Sequence, residues 1–260
     1  MRGFNLAQYE FRTLKAQQLM QQHELGALLL TTETNVRYFT GFLTRFWESP
    51  TRPWYLIIPQ SGKPIAVIPS IGEALMSKTW VEDIRTWPSP DLTDDGINLL
   101  SETLNEVAKK NRVGIPSGAE THVRIPRNDL IKLTQNVNLS HDYEIVKNLR
   151  MIKSKEEIVK IEKACMIAKE AFGRVPEIAS ENIQLDEVFR RFQVLCLEAG
   201  ADWVPYLAGG ADTEGYDDVI SPAKESPVKR GDLLMLDTGL GWDGYFCDYD
   251  RNWSFGARSS

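Results

Sequence analysis

Between Tyr9 and His23 apolar side chains return as Phe11, Leu14, Leu19 and Met20, a recurrence that predicts a helix. Gly26 breaks it, and the unbroken apolar run Ala27-Leu28-Leu29-Leu30-Thr31 predicts a strand buried on both faces. Trp54 to Ile58 and Pro64 to Ile68 have the same character. Gln60-Ser61-Gly62-Lys63 between them carries turn chemistry, so the two strands are expected to lie antiparallel. From Gly96 to Lys110 the residues Ile97, Leu100, Leu104 and Val107 fall on one helical face, and Val113-Gly114-Ile115-Pro116 reads as a short closing strand. Helices mixed with strands over the first 145 residues predict a self-contained α/β domain, 1–145.

The pattern changes after that. Ser154-Lys155-Glu156-Glu157 is a capping box, in which the Ser hydroxyl and the Glu carboxylate each satisfy a free amide at a helix start. Ile158, Ile161, Cys165, Ala168 and Phe172 follow as an expected apolar stripe. A second helix, Asp186 to Ala199, is expected to bury Val188, Phe189, Phe192 and Leu195 before Gly200 stops it. The tail is strand-like: Leu233 to Asp237, a Gly-rich turn, then Tyr245 to Tyr249. These elements form a second expected unit, 146–260.

Composition narrows the function classes. The 260 residues include 30 Lys+Arg against 36 Asp+Glu, a net charge of −6, and 42% are hydrophobic, so the chain has enough apolar side chain for packed cores. An acidic balance without a clustered cationic surface argues against nucleic-acid binding. No apolar run approaches the roughly 18 residues that span a bilayer, and the first residues lack a signal-peptide core, so no membrane association is expected. Cys165, Cys196 and Cys247 cannot all pair and form no Cys-x-x-Cys, which points to a reducing cytoplasm.

The candidate chemistry lies between Gly231 and Arg251. A two-residue turn at Trp242-Asp243 would set Asp237 directly opposite Asp248, with Cβ atoms about 4.5–5.5 Å apart on one face. Carboxylates that close repel each other. They need a shared proton or one or two bridging divalent cations, unless both are simply solvated turn residues. Asp250, two residues on and therefore on the same strand face, is a third candidate oxygen ligand. Cys247 alternates to the other face and reads as a core cysteine, and Arg251 reads as a partner for nearby carboxylates. Trp47, Trp54, Trp203 and Trp242 read as packing residues.

GDLLMLDTGLGWDGYFCDYDR resembles the GD-x-V-x-x-D-x-G…G-Y-x-S-D-x-T-R pattern of the pita-bread metallopeptidase superfamily. That group includes methionine and Xaa-Pro aminopeptidases, proline dipeptidases and creatinases. LRMIKSKEEIVKIEKACMIAKEAF resembles the helix that opens its catalytic domain, and Asn35 to Phe42, NVRYFTGF, resembles a motif of the creatinase/prolidase N-terminal domain. The resemblance implies an α/β N-terminal creatinase/prolidase-like domain followed by an α+β pita-bread catalytic domain, of which about the first half is present. It assigns Asp237 and Asp248 as metal ligands in a dinuclear site holding manganese, or alternatively cobalt, zinc or iron, that acts on a small peptide or other small molecule. It also implies a homodimer.

Three departures accompany the likeness. The family's His and two Glu ligands belong to sequence beyond Ser260, so the resemblance predicts an incomplete site and no appreciable metal-dependent peptidase activity in this chain. The histidine usually found upstream of the first aspartate is absent; Gly215 to Pro222 occupies that stretch, which makes Tyr216 and Asp217 the candidates for a related catalytic position. Asp250 stands where peptidases carry Thr or Ser. The alternatives are the same fold with lyase or creatinase-like chemistry, or a non-catalytic dimerising or binding fragment. An exposed apolar face, with association or marginal stability, is expected of a half domain.

Overall fold

The computed structural model describes residues 2–49, 52–119, 121–213 and 216–256; Gly215 and Ser260 lie outside the described residues. The chain divides into two compact units, Met1–Ile152 and Lys153–Ser260.

The first unit runs α1 (Leu6–Gln22), β1 (Leu25–Leu30), α2 (Glu33–Thr40), β2 (Tyr55–Pro59), β3 (Ile65–Pro69), α3 (Glu73–Met76), β4 (Asp83–Trp87), α4 (Ile97–Ala108), β5 (Arg112–Ile115), α5 (Arg127–Asn136), β6 (Leu139–His141) and α6 (Ile145–Met151). Its six strands form one mixed sheet in the order β4-β3-β2-β1-β5-β6. β2 and β3 are antiparallel, as their connecting turn predicts, and β2 is antiparallel to β1. β1 is buried at all six positions because both faces are covered. Leu28 and Leu30 pack with Met20, Phe39 and Trp54 on one side, while Ala27 and Leu29 pack with Leu100, Leu104 and Leu133 on the other. Trp47 and Trp54 are core residues on the first side, as their sequence context predicts.

The buried face of α1 differs from the expected one. Phe11 and Leu14 are exposed, while Tyr9, Arg12, Thr13, Ala16, Gln17 and Met20 are buried. Two polar side chains win this face by hydrogen bonding to backbone. Arg12 donates to the Tyr38 carbonyl at 2.8 Å, and Gln17 donates to the Pro59 and Gly62 carbonyls at 3.0 and 2.8 Å, clasping the β2–β3 turn.

The second unit runs α7 (Lys155–Gly173), α8 (Val175–Ile178), α9 (Leu185–Glu198), β7 (Trp203–Asp212), β8 (Leu233–Trp242), β9 (Tyr245–Phe246) and β10 (Tyr249–Ser254). The capping box is formed at Ser154 and Glu157. Glu157 does more than cap, since its second oxygen accepts the Tyr245 hydroxyl at 2.8 Å and ties the helix start to β9. The apolar stripe of α7 lies about one position away from the expected one. Lys160, Ala164, Ile167, Ala168, Ala171 and Phe172 are buried, whereas Ile158 is exposed. A lysine enters this face because it pairs with Asp243 in the core. α7 and α9 cover one face of a sheet ordered β10-β8-β7, with β9 extending the β8 hairpin.

Candidate metal centre

Alternation along β8 sorts its side chains. Leu234, Leu236, Thr238 and Leu240 are buried, the three leucines in the core beneath the helices, which turns Asp237, Gly239 and Gly241 to the opposite face. The hairpin that follows turns at Asp243-Gly244, both at positive φ (48° and 78°), and Trp242 pairs with Tyr245. This corrects the expected turn at Trp242-Asp243. Asp243 is fixed in the left-handed conformation because its amide donates to Asp202 Oδ2 at 2.6 Å and its carboxylate pairs with buried Lys160. The whole ladder is therefore displaced. Asp250 is the direct partner of Asp237, and Tyr249 pairs with Thr238. A displacement of two residues leaves facing unchanged, so Asp248 still emerges on the Asp237 side, beside Gly239.

A residue absent from the sequence expectations joins the aspartates. Tyr206 of β7 pairs with Gly239, and its hydroxyl donates to Asp248 Oδ1 at 3.0 Å with Asp237 Oδ1 3.4 Å away. One phenol oxygen within reach of both carboxylates shows that two oxygens converge on one point. Gly239 makes this possible: a Cβ there would lie 2.5 Å from Tyr206 Cε1 and 2.9 Å from the Cys247 carbonyl oxygen. Burial, then the charges of Asp248 and Asp250, push the Asp237 carboxyl above its ordinary range. Burial and the Asp248 hydrogen bond also raise the Tyr206 phenol, which stays a donor. Pro205 and the pair Gly209-Gly210 interrupt the strand pattern of β7, so no sequence signal marked Tyr206.

The other candidates fall as follows. Tyr216 donates to Asn252 Oδ1 at 3.0 Å, and Asn252 is two residues beyond Asp250 on the same strand face. Asp217 is exposed. Cys247 is buried in the core, as alternation predicts. Arg251 differs from the expectation of a carboxylate partner, because it reaches the Tyr249 hydroxyl at 2.8 Å and the Asp250 carbonyl. Tyr249 packs on Phe172 on the helix side of the sheet, which draws the guanidinium toward it. Among the described residues, no group of three or more His, Cys, Asp or Glu side chains is arranged to hold a metal ion. The donor set of Asp237 and Asp248 thus fits a hard divalent ion in kind, all carboxylate oxygen, and supplies part of a coordination shell.

Helices cover one face of this sheet, and the other face carries Asp237, within β8, and Asp248, between β9 and β10. Residues 12–152 match the creatinase/prolidase N-terminal domain, residues 159–260 match metallopeptidase family M24, and the chain belongs to this family of two-domain pita-bread proteins. A prolidase of Thermococcus sibiricus superposes with a TM-score of 0.83 at 22% identity, covering 99% of this chain and 67% of that one. A dipeptidase of Mycobacterium ulcerans gives 0.79 at 22% identity over 98% of this chain and 67% of its own. An uncharacterised peptidase of Staphylococcus epidermidis is 23% identical over 253 residues. The alignment covers 92% of this chain and 64% of that protein, so the chain spans under two thirds of the relative's length.

Proposed function

We propose that Asp237 and Asp248 are ligands in the divalent-metal centre of an Xaa-Pro peptidase-like hydrolase, with Asp250 as a further oxygen donor. The observation that carries this is the single Tyr206 hydroxyl shared between the two carboxylates on the open face of the sheet. A bound metal supplies Lewis acidity and an activated water at neutral pH. Tyr206 orients Asp248, and Tyr216 is the candidate for holding or moving a proton nearby; Asp217 is the weaker one. Oxygen-only ligation favours manganese over thiolate-seeking ions. The substrate in this reading is a small peptide, and the working assembly is a homodimer. Three free cysteines support a cytoplasmic setting, and no helix among the described residues is long and apolar enough to cross a membrane.

Two or three carboxylates hold a divalent ion weakly, so the 260-residue chain alone is expected to lack appreciable peptidase activity. Calorimetric titration with manganese is expected to show binding on the order of millimolar, abolished by Asp237→Asn. Manganese-dependent cleavage of an Xaa-Pro dipeptide by this chain, lost in Asp237→Ala, would overturn the inactivity. A second reading, lyase or creatinase-like chemistry on the same fold, is favoured by one observation. Asp250 places a third negative charge directly opposite Asp237, where a neutral hydroxyl is the peptidase pattern.

A further inference from the structure

β7 reaches the Asp237 face through an irregularity. Trp203 pairs with Gly241 and Tyr206 with Gly239, so three steps along β7 are matched by two along β8, and the new register holds from Tyr206 to Asp212. The strand therefore carries one extra residue between Trp203 and Tyr206, a β-bulge. One extra residue reverses the facing of everything beyond it. Had the pairing at Trp203 continued unbroken, Pro205 would oppose Gly239, and Tyr206 would oppose Thr238 on the helix side of the sheet. With the bulge, Tyr206 emerges beside Gly239 on the open face, while Val204 and Leu207 pack against the core. Pro205 accounts for the location. It has no amide to donate, and within sheets proline is confined to edges, strand starts and bulges.

We propose that Thr238 is a positioning residue of the metal centre: its hydroxyl clamps the bulge of β7 and so sets the Tyr206 hydroxyl on Asp248. This rests on the metal-centre reading above. Thr238 is wholly buried, on the face of β8 opposite to Asp237, and its Oγ1 donates to the Tyr206 carbonyl at 2.7 Å. A side-chain hydrogen bond thus joins the two strands at the residue where their register changes. Glycine-rich strands are those in which register slips most readily, and Gly209, Gly210, Gly239 and Gly241 leave four positions of this pair without a side chain to hold it. A slip of one residue would turn the Tyr206 ring to the helix side and take its hydroxyl away from Asp248 Oδ1, which it meets at 3.0 Å. The same short stretch of β8 therefore carries Asp237 on one face and, on the other, the group that aims the tyrosine at its neighbour.

The test reads the Tyr206 phenol directly, in the full chain and without metal. Carbon-13 labelling of tyrosine gives a Cζ signal that reports hydrogen bonding of the hydroxyl, and Tyr206→Phe assigns it by its loss. Thr238→Val, which keeps the branched shape and removes the hydroxyl, should move this signal toward its position in Asp248→Ala. Thr238→Ser, which keeps the hydroxyl and loses the methyl, should return it to the wild-type position. In the wild type itself the Thr238 hydroxyl proton should exchange with water slowly enough to be observed, a measurement that needs no variant. Manganese affinity, read from the EPR signal of the free ion, should fall about fivefold in Thr238→Val and change no further when Thr238→Val is added to Tyr206→Phe. A Tyr206 signal unmoved in Thr238→Val, an equal displacement in Thr238→Ser, a fast-exchanging Thr238 hydroxyl, or full additivity with Tyr206→Phe overturns the clamp. No manganese binding by the wild type would sink the metal-centre reading instead, and the metal-free spectrum would still decide whether Thr238 positions Tyr206.

Discussion

Asp250 stands directly opposite Asp237 across the β8–β10 ladder. Facing carboxylates in adjacent strands destabilise a sheet unless a cation or proton intervenes. The raised Asp237 carboxyl is a consequence of its burial together with the charges of Asp248 and Asp250. The arrangement therefore stores repulsion that a divalent ion would relieve.

Asp250→Asn removes the facing charge while keeping shape. Manganese affinity, measured by calorimetry, should fall severalfold yet remain measurable, whereas Asp237→Asn should leave no detectable heat. Equal loss in both variants would make Asp250 a ligand of the same rank as Asp237.

Gly209 and Gly239 of the second unit are expected to resist substitution to different degrees. Gly209 has φ 151°, and a Cβ there would sit 2.1 Å from the Met235 carbonyl oxygen, a rigid backbone atom. At Gly239 the nearest obstacle is the Tyr206 ring at 2.5 Å. Gly239→Ala should cost about 1–3 kcal/mol in urea unfolding, and Gly209→Ala more. Adding Tyr206→Ala should recover part of the Gly239→Ala loss, because the ring is the obstacle there. It should do nothing for Gly209→Ala.

Asp95, in the first unit, gives a pH-dependent prediction. Burial pushes its carboxyl up, but hydrogen bonds from Ser89 Oγ (2.6 Å), Trp87 Nε1 (2.9 Å) and the Asp91 and Arg52 amides together hold it below its ordinary value of 3.8. A carboxylate held low in the folded state stabilises the fold above its unfolded pKa, and that contribution disappears as pH falls through the folded value. The melting-temperature gap between the wild type and Asp95→Asn should be constant above about pH 5 and should close on acidification below that. A gap that widens toward acid would show the opposite sign.

Much of the fold is legible in the chain because burial on two faces leaves an unbroken apolar run, as at Leu28 to Leu30, and because the Ser154–Glu157 box marks a helix start. Helix faces are less legible. In α1 and α7 the buried positions include Arg12, Gln17 and Lys160, whose polar ends meet a carbonyl, a carboxylate or an aromatic ring in the interior, so an apolar stripe does not locate them. At the centre, the spacing of Asp237 and Asp248 is visible and their shared face follows from alternation. The register is not visible, since it depends on Asp243 being pinned by Asp202 and Lys160 from distant elements. Tyr206 is invisible for the same reason: it reaches the aspartates only through pairing of β7 with β8.

That pinning is itself open to test. Lys160 and Asp243 form an ion pair with side chains only 4% and 7% exposed, and Lys160 also lies 5.6 Å from the Trp242 ring centroid. Removing one partner leaves the other charge desolvated. Lys160→Met should therefore cost about 3–5 kcal/mol, whereas Lys160→Met combined with Asp243→Asn should cost clearly less, since Asn tolerates the left-handed turn and carries no charge. Lys160→Met should also loosen the hairpin, because Asp243 would then turn toward water and release the closing pair Trp242–Tyr245. Hydrogen exchange at the Cys247 amide, which donates to Leu240 at 3.2 Å in that ladder, should accelerate in the single variant and return toward wild type in the double. Unchanged exchange in Lys160→Met would show that Gly244 and the Asp202 contact set the register without the ion pair.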